Sequence, residues 1–353
     1  MNVKNIWFRI AHWETWDWRL KYIPIAPIWF WYCLRAGSFW FFTASNPTLK
    51  FGGFEGESKK EMYDQLPPGS YPKSIYLSHT LPFQEVEKLF YVHQFEFPFA
   101  VKPDVGKMGF MFRRINTLAE LKTYHEKISG DYILQELIHY PLEISVFYYR
   151  FPHEQKGKIT GFLKKEFLEV TGNGTSSLWE LILHYPRVRF RLEEMQTKHR
   201  DKLNYILPRG ESYYLSYALN LSRGGKLVSL ENEKDERLIK VFDDLSNYTR
   251  HFYYGRYDIK CQSIEDLKQG KNFSILEYNG SGAEPHHVYG NGNTLIQAGK
   301  ILACHWKILY KISRFNHQKG IPYWGFMRGW RFLKDSAKHL KKLKQLDLET
   351  EMN

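Results

Sequence analysis

The amino-acid sequence predicts a globular α+β fold in which many strands pair in antiparallel fashion. Hydrophobic residues make up 43% of the chain and charged residues 25%, a composition typical of globular proteins. Strand-like and helix-like segments alternate through the central part of the chain, and short connections join several of the strands. The length of 353 residues is sufficient for roughly two domains of ~150 residues each.

Hydrophobic patterning places the individual elements in order along the central region, residues 73–312. The segments predicted as strands are 97–102, 110–115, 132–138, 143–150, 159–170, 213–219, 225–231, 254–261 and 273–279. The segments predicted as helices are 117–128, 176–185, 190–205, 233–250 and 293–314. Thr117 and Glu120 have the spacing of a capping box, which supports the start of the first of these helices.

Residues 1–72 form an aromatic N-terminal region. Its uncharged stretch, 23–34, is 12 residues long and contains two prolines, whereas a membrane-spanning helix needs about 20 apolar residues. Two interpretations have equal weight. The segment lies in the interface of a membrane, with Trp and Tyr at headgroup depth, or its aromatic side chains pack on the main domain or on a second copy in a homodimer.

The C-terminal tail, residues 313–353, is predicted to be basic and helical. Residues 305–345 contain eleven Lys and Arg against a single acidic residue, in a chain of net charge +12. A solvated helix face is the first explanation, followed by an anionic membrane surface or acidic partner. Nucleic acid comes last and is not an expected partner, since no nucleic-acid-binding motif accompanies the charge.

The cysteines and the N-terminus indicate a cytoplasmic protein. The three cysteines, at 33, 261 and 304, are far apart and favour neither a disulfide framework nor a zinc site. The sequence also shows no pattern of a secretory signal peptide. Together with the basic tail and aromatic N-terminus, this extends to an expectation of peripheral attachment at the inner face of the membrane.

Two strands near the end of the central region carry polar side chains two residues apart. In SILEYN these are Glu277 and Asn279, and in YGRYDIK they are Arg256 and Asp258. Because alternate residues of a strand point to one face, the four side chains converge if the strands are neighbours. Their oxygens suit Mg²⁺, and the arginine suits a transferring phosphoryl group. A purely structural arginine–carboxylate network is the alternative, and spacing alone favours it.

The first half of the central region supplies candidate nucleotide contacts. Lys102 follows a buried strand and precedes a loop in which Gly106 and Gly109 would let the backbone approach phosphate groups. Glu136 and Glu143 could accept hydrogen bonds from an adenine amino group and from ribose hydroxyls. Ordinary loop glycines and surface carboxylates are the alternative for each motif alone.

In combination, these motifs resemble the ATP-grasp superfamily, which includes D-alanine–D-alanine ligase, glutathione synthetase and cyanophycin synthetase. The matching order is VKP-x-x-G-x-x-G (101–109), QE-x₆-E (135–143), GR-x-D (255–258) and LE-x-N (276–279). The resemblance covers about residues 73–312, or two thirds of the chain. It implies an ATP-grasp fold, in which two α+β subdomains grip ATP, between the aromatic N-terminal region and the basic tail.

The resemblance also implies roles for individual residues. Those implied to bind ATP are Lys73, Lys102, Gly106, Lys107, Gly109, Gln135, Glu136, Leu137, Glu143 and Lys164, with Lys165 as the alternative to Lys164. Asp258, Glu277 and Asn279 would hold one or two Mg²⁺ ions, and Mn²⁺ is compatible with the same ligands. Arg256 would be the catalytic residue that faces the transferred phosphoryl group.

The function implied is an ATP- and Mg²⁺-dependent ligase with small-molecule substrates. A carboxylate is activated as an acyl phosphate and is attacked by an amine or a thiol. The alternatives are a kinase-like phosphotransferase of the same fold and a non-catalytic nucleotide-binding scaffold at a membrane. The superfamily usually has an α/β domain where this chain has its aromatic region, and the serine-containing loop of D-alanine ligases is absent, so the substrates do not carry over. His286 and His287 are interpreted as loop residues near the metal-binding strand.

Overall fold

The structure is a computed structural model that describes residues 13, 16, 18–185, 188, 191–216, 225–290 and 292–351. Its strands are β1 (Ser74–Leu77), β2 (Phe99–Pro103), β3 (Arg113–Ile115), β4 (Tyr132–Glu136), β5 (Leu142–Tyr149), β6 (Lys158–Glu166), β7 (Leu168–Thr171), β8 (Ser212–Ser216), β9 (Lys226–Ser229), β10 (Tyr254–Cys261) and β11 (Phe273–Asn279). Its helices are α1 (Trp18–Tyr22), α2 (Ala26–Ala36), α3 (Lys59–Tyr63), α4 (Phe83–Val92), α5 (Leu118–Lys127), α6 (Leu178–His184), α7 (Leu192–Lys198), α8 (Glu236–Asn247), α9 (Ile264–Lys268), α10 (His287–Gly290), α11 (Leu295–Gln318) and α12 (Phe326–Glu351).

The strands form two larger sheets and a hairpin. One sheet has the order β1-β4-β2-β3 and the other the order β11-β10-β5-β6-β9, while β7 pairs only with β8. All these pairings are antiparallel. The predicted α+β class with antiparallel pairs is therefore confirmed.

The five-stranded sheet has one apolar face and one face on which charged and aromatic residues both lie. Val146 lies opposite Tyr257, and both belong to a buried core that includes Phe242 of α8. The intervening positions point the other way, so Ser145 and its partner Asp258 lie on the opposite face. That face is the one that borders the candidate site.

The four-stranded sheet is covered on its outer face by helices. Val101 and Leu134 pack with Phe90 of α4 and Leu121 of α5 in a second buried core. The alternate positions of β2 and β4 point away from these helices, and Lys102 is among them. This alternation directs the lysine toward the space between the two sheets.

Several predicted elements differ in extent from the observed ones. Residues 110–112 form a turn before β3, because Met111 has a positive φ of 57° and Phe112 donates its amide hydrogen to the Gly109 carbonyl at 3.1 Å. The strand predicted over 159–170 is divided into β6 and β7, the second of which joins the hairpin. The helix predicted over 190–205 is α7 followed by a short 3₁₀ turn, and positions 217–219 lie outside the described residues.

The predicted capping box at the start of α5 is present only in part. The Thr117 hydroxyl accepts a hydrogen bond from the Glu120 amide at 3.2 Å, as expected for an N-cap. The Glu120 carboxylate, however, accepts from the amide of Asn116 at 2.8 Å instead of from Thr117. The helix start is therefore confirmed, and the reciprocal half of the motif is not formed.

The aromatic N-terminal region is divided between buried and exposed side chains. Phe41, Phe42 and Phe51 are at most 1% exposed and pack in one core with residues of α11. On the outer side of α2, Phe30 and Leu34 are 53% and 77% exposed. The second part of the region therefore packs against α11, while part of α2 is exposed. Among the described residues, no helix is long and apolar enough to cross a membrane.

The basic tail forms the long helix α12, which contacts the four-stranded sheet. Leu343 is buried in the core of that sheet, and Asp347 accepts hydrogen bonds from Arg113 at 2.9 Å and from the Met111 amide at 2.8 Å. The lysines of this helix are exposed: Lys334, Lys338, Lys341, Lys342 and Lys344. The tail therefore has one packed face and one solvated basic face.

Candidate functional site

A cavity of about 260 Å³ lies between the two larger sheets, and both sheets contribute to its wall. Its lining residues are Lys59, Lys102, Pro103, Gly106, Lys107, Met108, Gly109, Phe110, Phe112, Glu143, Lys165, Asp258, Leu276 and Glu277. The cavity thus brings together charged side chains from segments that are up to 218 residues apart, as Lys59 and Glu277 show.

The polar side chains of β10 and β11 converge as the sequence predicts. Asp258 lies directly opposite Glu277, and Arg256 lies opposite Asn279, so that all four side chains share one sheet face. The Asn279 amide nitrogen is 3.5 Å from Oδ2 of Asp258. A β-bulge follows Asp258, where the register of the two strands shifts.

Arg256 and Asp258 form a buried ion pair. Nε and Nη2 of the arginine lie 3.3 and 3.1 Å from the two carboxylate oxygens, and Nη1 donates to the main-chain oxygen of Glu284 at 2.9 Å. Spacing alone favours a structural network here, and that network is present. It fixes the position of Asp258 at the edge of the cavity, because both carboxylate oxygens are held.

Lys165 completes the polar face of the sheet. Its Nζ lies 3.0 Å from Glu143 and 3.1 Å from Asp258. Burial alone would lower the pKa of this lysine, but the two carboxylates outweigh burial and hold it above its usual value. Burial acts in the opposite direction on Asp258 and tends to raise the pKa of its carboxyl group. The positive charges of Arg256 and Lys165 outweigh burial and hold that pKa well below its ordinary range.

Lys164, one of the two adjacent lysines between which the sequence does not decide, does not line the cavity. It lies opposite Ile144, on the face of the sheet that carries the apolar core. Its Nζ pairs with Glu166 at 2.9 Å. Because β6 alternates its faces, Lys165 is the lysine that the structure places at the cavity, and the choice of Lys164 is corrected accordingly.

Two further lysines line the cavity from the opposite side. Nζ of Lys102 donates to the main-chain oxygen of Leu276 at 3.4 Å, across the gap between the two sheets. Burial, reinforced by the nearby charge of Lys59, lowers the pKa of Lys102 to about 7. Nζ of Lys59 donates to the carbonyl oxygens of Asp104 at 3.1 Å and Gly106 at 3.3 Å. The sequence analysis missed Lys59, because it lies in α3 outside every recognisable motif.

The glycine-containing loop covers one side of the cavity. Gly109 has a φ of +75° and Met108 a φ of +61°, so the loop turns through left-handed conformations that favour glycine. Lys107 also lines the cavity, but its Nζ forms an ion pair with Glu55 at 2.7 Å. Residues 107–109 are exposed, which leaves their backbone accessible to a ligand in the cavity.

The predicted adenine segment lies at the end of β4, beside the first residues of β1. Gln135 is buried and donates to the hydroxyls of Tyr63 and Ser74, both at 2.9 Å. Glu136 is exposed and accepts the amide hydrogen of Lys73 at 2.9 Å. None of these predicted residues lines the 260 Å³ cavity, and the same holds for Leu137. The amino group of Lys73 points outward to the main-chain oxygen of Gln94 at 2.8 Å.

An adjoining cavity of about 140 Å³ extends the site toward the N-terminal region. It shares Gly106, Lys107 and Glu277 with the larger cavity and is also lined by Glu55 and Glu57. Burial, and then the neighbouring charges of Glu277 and Glu55, raise the pKa of Glu57 to about 7. The sequence analysis did not identify either glutamate, since neither lies in a motif of the central region.

His286 lies close to the ion pairs of the sheet. Burial and then Arg256 lower its pKa well below the ordinary value, so the ring is neutral. Its Nδ1 is buried and has no hydrogen-bond partner among the described residues. The interpretation of this residue as a loop residue near the carboxylate-bearing strand agrees with its position.

The donor set of the site includes oxygen ligands of the kind that Mg²⁺ prefers. Within the described part of the chain, no group of three or more His, Cys, Asp or Glu residues is arranged to hold a metal ion. Asp258, Glu277 and Asn279 offer two carboxylates and one amide on one face. Mg²⁺ is commonly bound through one or two carboxylates together with water and substrate phosphates. The ligand types of these three residues are therefore compatible with Mg²⁺.

Comparisons with known proteins find similarity among solved structures only. No protein-family model matches the chain, and no curated protein matches it by sequence. A bifunctional glutathione synthetase from Pasteurella multocida is similar over 70% of this chain and 35% of its own, with 13% identity and a TM-score of 0.44. D-alanine–D-alanine ligase from Bacillus anthracis is similar over 74% of this chain and 69% of its own, with 15% identity and a TM-score of 0.40.

A third similar structure is the VanG D-Ala:D-Ser ligase from Enterococcus faecalis. It matches 67% of this chain and 57% of its own, with 14% identity and a TM-score of 0.38. The present chain spans about a third of the length of the glutathione synthetase. At these identities and TM-scores the similarity is a distant one in the path of the backbone, and it assigns no role to any residue.

Proposed function

We propose that the protein is an ATP-dependent ligase of the ATP-grasp type, which activates a carboxylate for attack by an amine or a thiol. The observation that carries this proposal is the composition of the 260 Å³ cavity. Four lysines (Lys59, Lys102, Lys107 and Lys165) and three carboxylates (Glu143, Asp258 and Glu277) line it between two antiparallel sheets. A strongly cationic wall suits polyphosphate, and the opposed carboxylates suit its counter-ion.

Binding of the nucleotide rests on Lys59, Lys102 and Lys165. Lys102 is buried beside another lysine, and a phosphate group would supply the negative charge that its surroundings lack. The exposed backbone of the loop 106–109 would close over the phosphates. Asp258, Glu277 and Asn279 would hold Mg²⁺, which neutralises phosphate charge when it is bound.

The chemistry overcomes the poor leaving group of a carboxylate. The carboxylate oxygen attacks the γ-phosphorus of ATP, the bond to the β-phosphate oxygen breaks, and ADP leaves. The amine then attacks the acyl carbon, inorganic phosphate departs, and the nitrogen loses a proton to give an amide. Arg256 would face the phosphoryl group from its fixed place beside Asp258 and stabilise the charge that accumulates there.

Direct titration of Mg·ATP by calorimetry tests the nucleotide site. We expect binding by the wild-type protein and at least a tenfold loss of affinity in the double variant Glu277→Gln/Asn279→Ala. Glu265→Gln is the matched control, since Glu265 pairs with Arg237 on the surface and does not line the cavity. Equal affinity in the wild type and the double variant would contradict the assignment of the site.

The reaction is tested by screening carboxylates and amines for ADP release, with products analysed by mass spectrometry. A ligase gives an amide or thioester, ADP and phosphate in equal amounts. A phosphorylated product that persists in the presence of every amine and thiol tested would contradict ligation.

We also propose that the protein docks on an anionic membrane through an exposed aromatic face. This face, hereafter the aromatic face, consists of Phe30, Leu34, Phe39, Phe326, Met327 and Trp330, each more than half exposed. The ring centres of Phe30 and Phe39 are 6.5 Å apart, and those of Phe39 and Phe326 are 5.7 Å apart. These contacts connect the N-terminal residues of the face with those of α12. Exposed apolar patches of this kind mark interaction surfaces.

Basic side chains adjoin the aromatic face. Arg35, Lys307, Lys311 and Arg314 line a shallow pocket beside it together with Trp31. Aromatic residues at headgroup depth, flanked by Lys and Arg, favour an anionic interface, and each basic residue contributes about 1 kcal/mol near such a surface.

Co-sedimentation with vesicles tests this docking. We expect binding to phosphatidylcholine vesicles that contain phosphatidylglycerol, and loss of that binding in Phe30→Ser/Trp330→Ser. Tyr248→Ser is the matched control, because Tyr248 is 53% exposed and does not belong to the aromatic face. Unchanged sedimentation of the double variant, or self-association of the protein in place of vesicle binding, would overturn it.

A further inference from the structure

A separate cavity of about 370 Å³ lies under the N-terminal helices. Tyr22, Trp29 and Phe30 form one side of it, and Trp306 of α11 forms part of the other. Trp29 and Trp306 are in edge contact, with ring centres 5.3 Å apart. The wall is therefore largely aromatic. Its aromatic residues belong neither to the ATP-grasp-like motifs nor to the lining of the 260 Å³ cavity.

This aromatic cavity adjoins the proposed ligase site. Phe54 and Gly282 line both it and the 140 Å³ cavity, so the two cavities share part of their wall. Glu284, which also lines the aromatic cavity, accepts a hydrogen bond from Nη1 of Arg256 through its main-chain oxygen. A ligand in the aromatic cavity would thus contact the residue whose main-chain oxygen holds the arginine.

The carboxylate of Glu284 is the anionic group of this cavity. Its Oε1 accepts hydrogen bonds from the hydroxyls of Tyr22, at 3.0 Å, and Tyr289. Burial, with the charge of Glu284, raises the pKa of both phenols, so they remain donors at neutral pH. Among the described residues, no cationic side chain forms an ion pair with this carboxylate. Its charge acts on Arg256, and Nζ of Lys21 lies 4.8 Å from the centre of the ring of Tyr289, which donates to the same carboxylate.

A carboxylate among aromatic rings suits an organic cation with an apolar body. The ammonium group would pair with Glu284, which would accept its proton before the nitrogen attacks, and the aromatic faces add cation–π attraction. The apolar body would replace water against Trp29, Phe30 and Trp306. A ligand that carries its own carboxylate would instead meet the charge of Glu284 in a poorly hydrated space.

We propose that this cavity binds the amine substrate, and that the amine carries an aromatic or aliphatic group. The inference rests on the proposed ligase function and specifies its nucleophile. The N-terminal region then has a defined role, which is to form the apolar wall of the amine site beside the nucleotide site.

Ligand-observed NMR titration tests the inference with three probes of matched shape: phenethylamine, 2-phenylethanol and 3-phenylpropionate. We expect phenethylamine to bind at least tenfold more tightly than the alcohol, and the carboxylate to bind most weakly. Glu284→Gln keeps the shape of the side chain and should reduce phenethylamine to the affinity of the alcohol. Ala26→Phe places a ring in the cavity and should abolish binding of all three, whereas Glu265→Gln should change none.

Two measurements separate this inference from the proposed function. Mg·ATP affinity of Glu284→Gln should equal that of the wild type, which also shows that the variant is folded. Phenethylamine that binds no better than the other probes, or equally well to Glu284→Gln, overturns the amine site even if ATP binds. Glu284-dependent binding of phenethylamine in a protein that does not bind ATP retains the amine site and rejects the ligase.

Discussion

The two faces of the five-stranded sheet are formed by the same strands but have opposite chemistry. On β10, Tyr257 and Ile259 point into the apolar core beneath α8, whereas Arg256 and Asp258 lie on the other face, where Asp258 lines the cavity. Antiparallel register carries this alternation across neighbouring strands, so the charged positions of the sheet collect on one face, which Phe147 and Tyr254 share with them. A charged site can therefore be built on a buried sheet without interrupting the core behind it.

Substitutions on the two faces of the sheet should therefore change stability and ligand binding separately. The apolar face contributes through area removed from water and close packing. The polar face buries charges, which cost free energy unless each has a partner. Substitutions on one face should leave the property of the other largely intact.

The largest effect is expected from the apolar face. Phe242→Ala removes a ring that is 0% exposed and leaves a cavity, which should lower the free energy of unfolding by about 3–5 kcal/mol. Urea denaturation measures this change. The affinity of the folded variant for Mg·ATP should stay within a factor of two of the wild type, and a parallel loss of affinity would show that the faces are coupled.

On the polar face, Lys165→Met should weaken Mg·ATP binding by roughly 10–100-fold, the range for loss of a hydrogen bond to a charged group. The variant also leaves Glu143 and Asp258 without their shared cation. Calorimetric titration gives the affinity, and a denaturation curve of the same sample separates a binding defect from unfolding. Wild-type affinity in a folded variant would remove Lys165 from the site.

Lys102 should report nucleotide binding as proton uptake. With a pKa of about 7 the amine is mostly neutral at pH 8, and a bound phosphate would favour the charged form. Binding at pH 8 should therefore take up about one proton. Titrations in buffers of different ionisation enthalpy measure this number, and Lys102→Met should bind more weakly without uptake.

The same lysine predicts a pH dependence of stability. Its folded pKa lies below the value of about 10.4 in an unfolded chain, so the unfolded state binds more protons between these limits. The free energy of unfolding should then rise from pH 7 to pH 10 relative to that of Lys102→Met. Urea denaturation across this range checks the sign, and a slope equal to that of the variant would show that Lys102 is not perturbed.

The smallest effect is expected for Lys164→Met, one residue away from Lys165. Lys164 lies on the other face and pairs with Glu166 at a partly exposed position. Its removal should change Mg·ATP affinity by less than twofold, because Lys164 does not line the cavity. The free energy of unfolding should fall by only about 0–1 kcal/mol, since the lost ion pair is partly exposed. A loss as large as that of Lys165→Met would mean that the assignment of the two faces is wrong.

Much of the site was predictable from local patterns. Arg256 and Asp258 lie two residues apart, as do Glu277 and Asn279, and the pleat of a strand places each pair on one face. Lys102 at a strand end before a glycine loop was likewise recognisable. Lys59, Glu57 and the strand β1 were not, because their roles depend on contacts with distant segments and not on a local period.

The sequence by itself determined the α+β class, most of the strands of both larger sheets, and which residues of a strand share a face. The tertiary structure decided which faces meet. It placed Lys165 and not Lys164 at the cavity, brought α3 beside β2, and divided the aromatic residues between a buried core and the exposed aromatic face. The physical reason is that alternation along a strand is set by backbone geometry, whereas the partner of each face is set by packing between segments far apart in the chain.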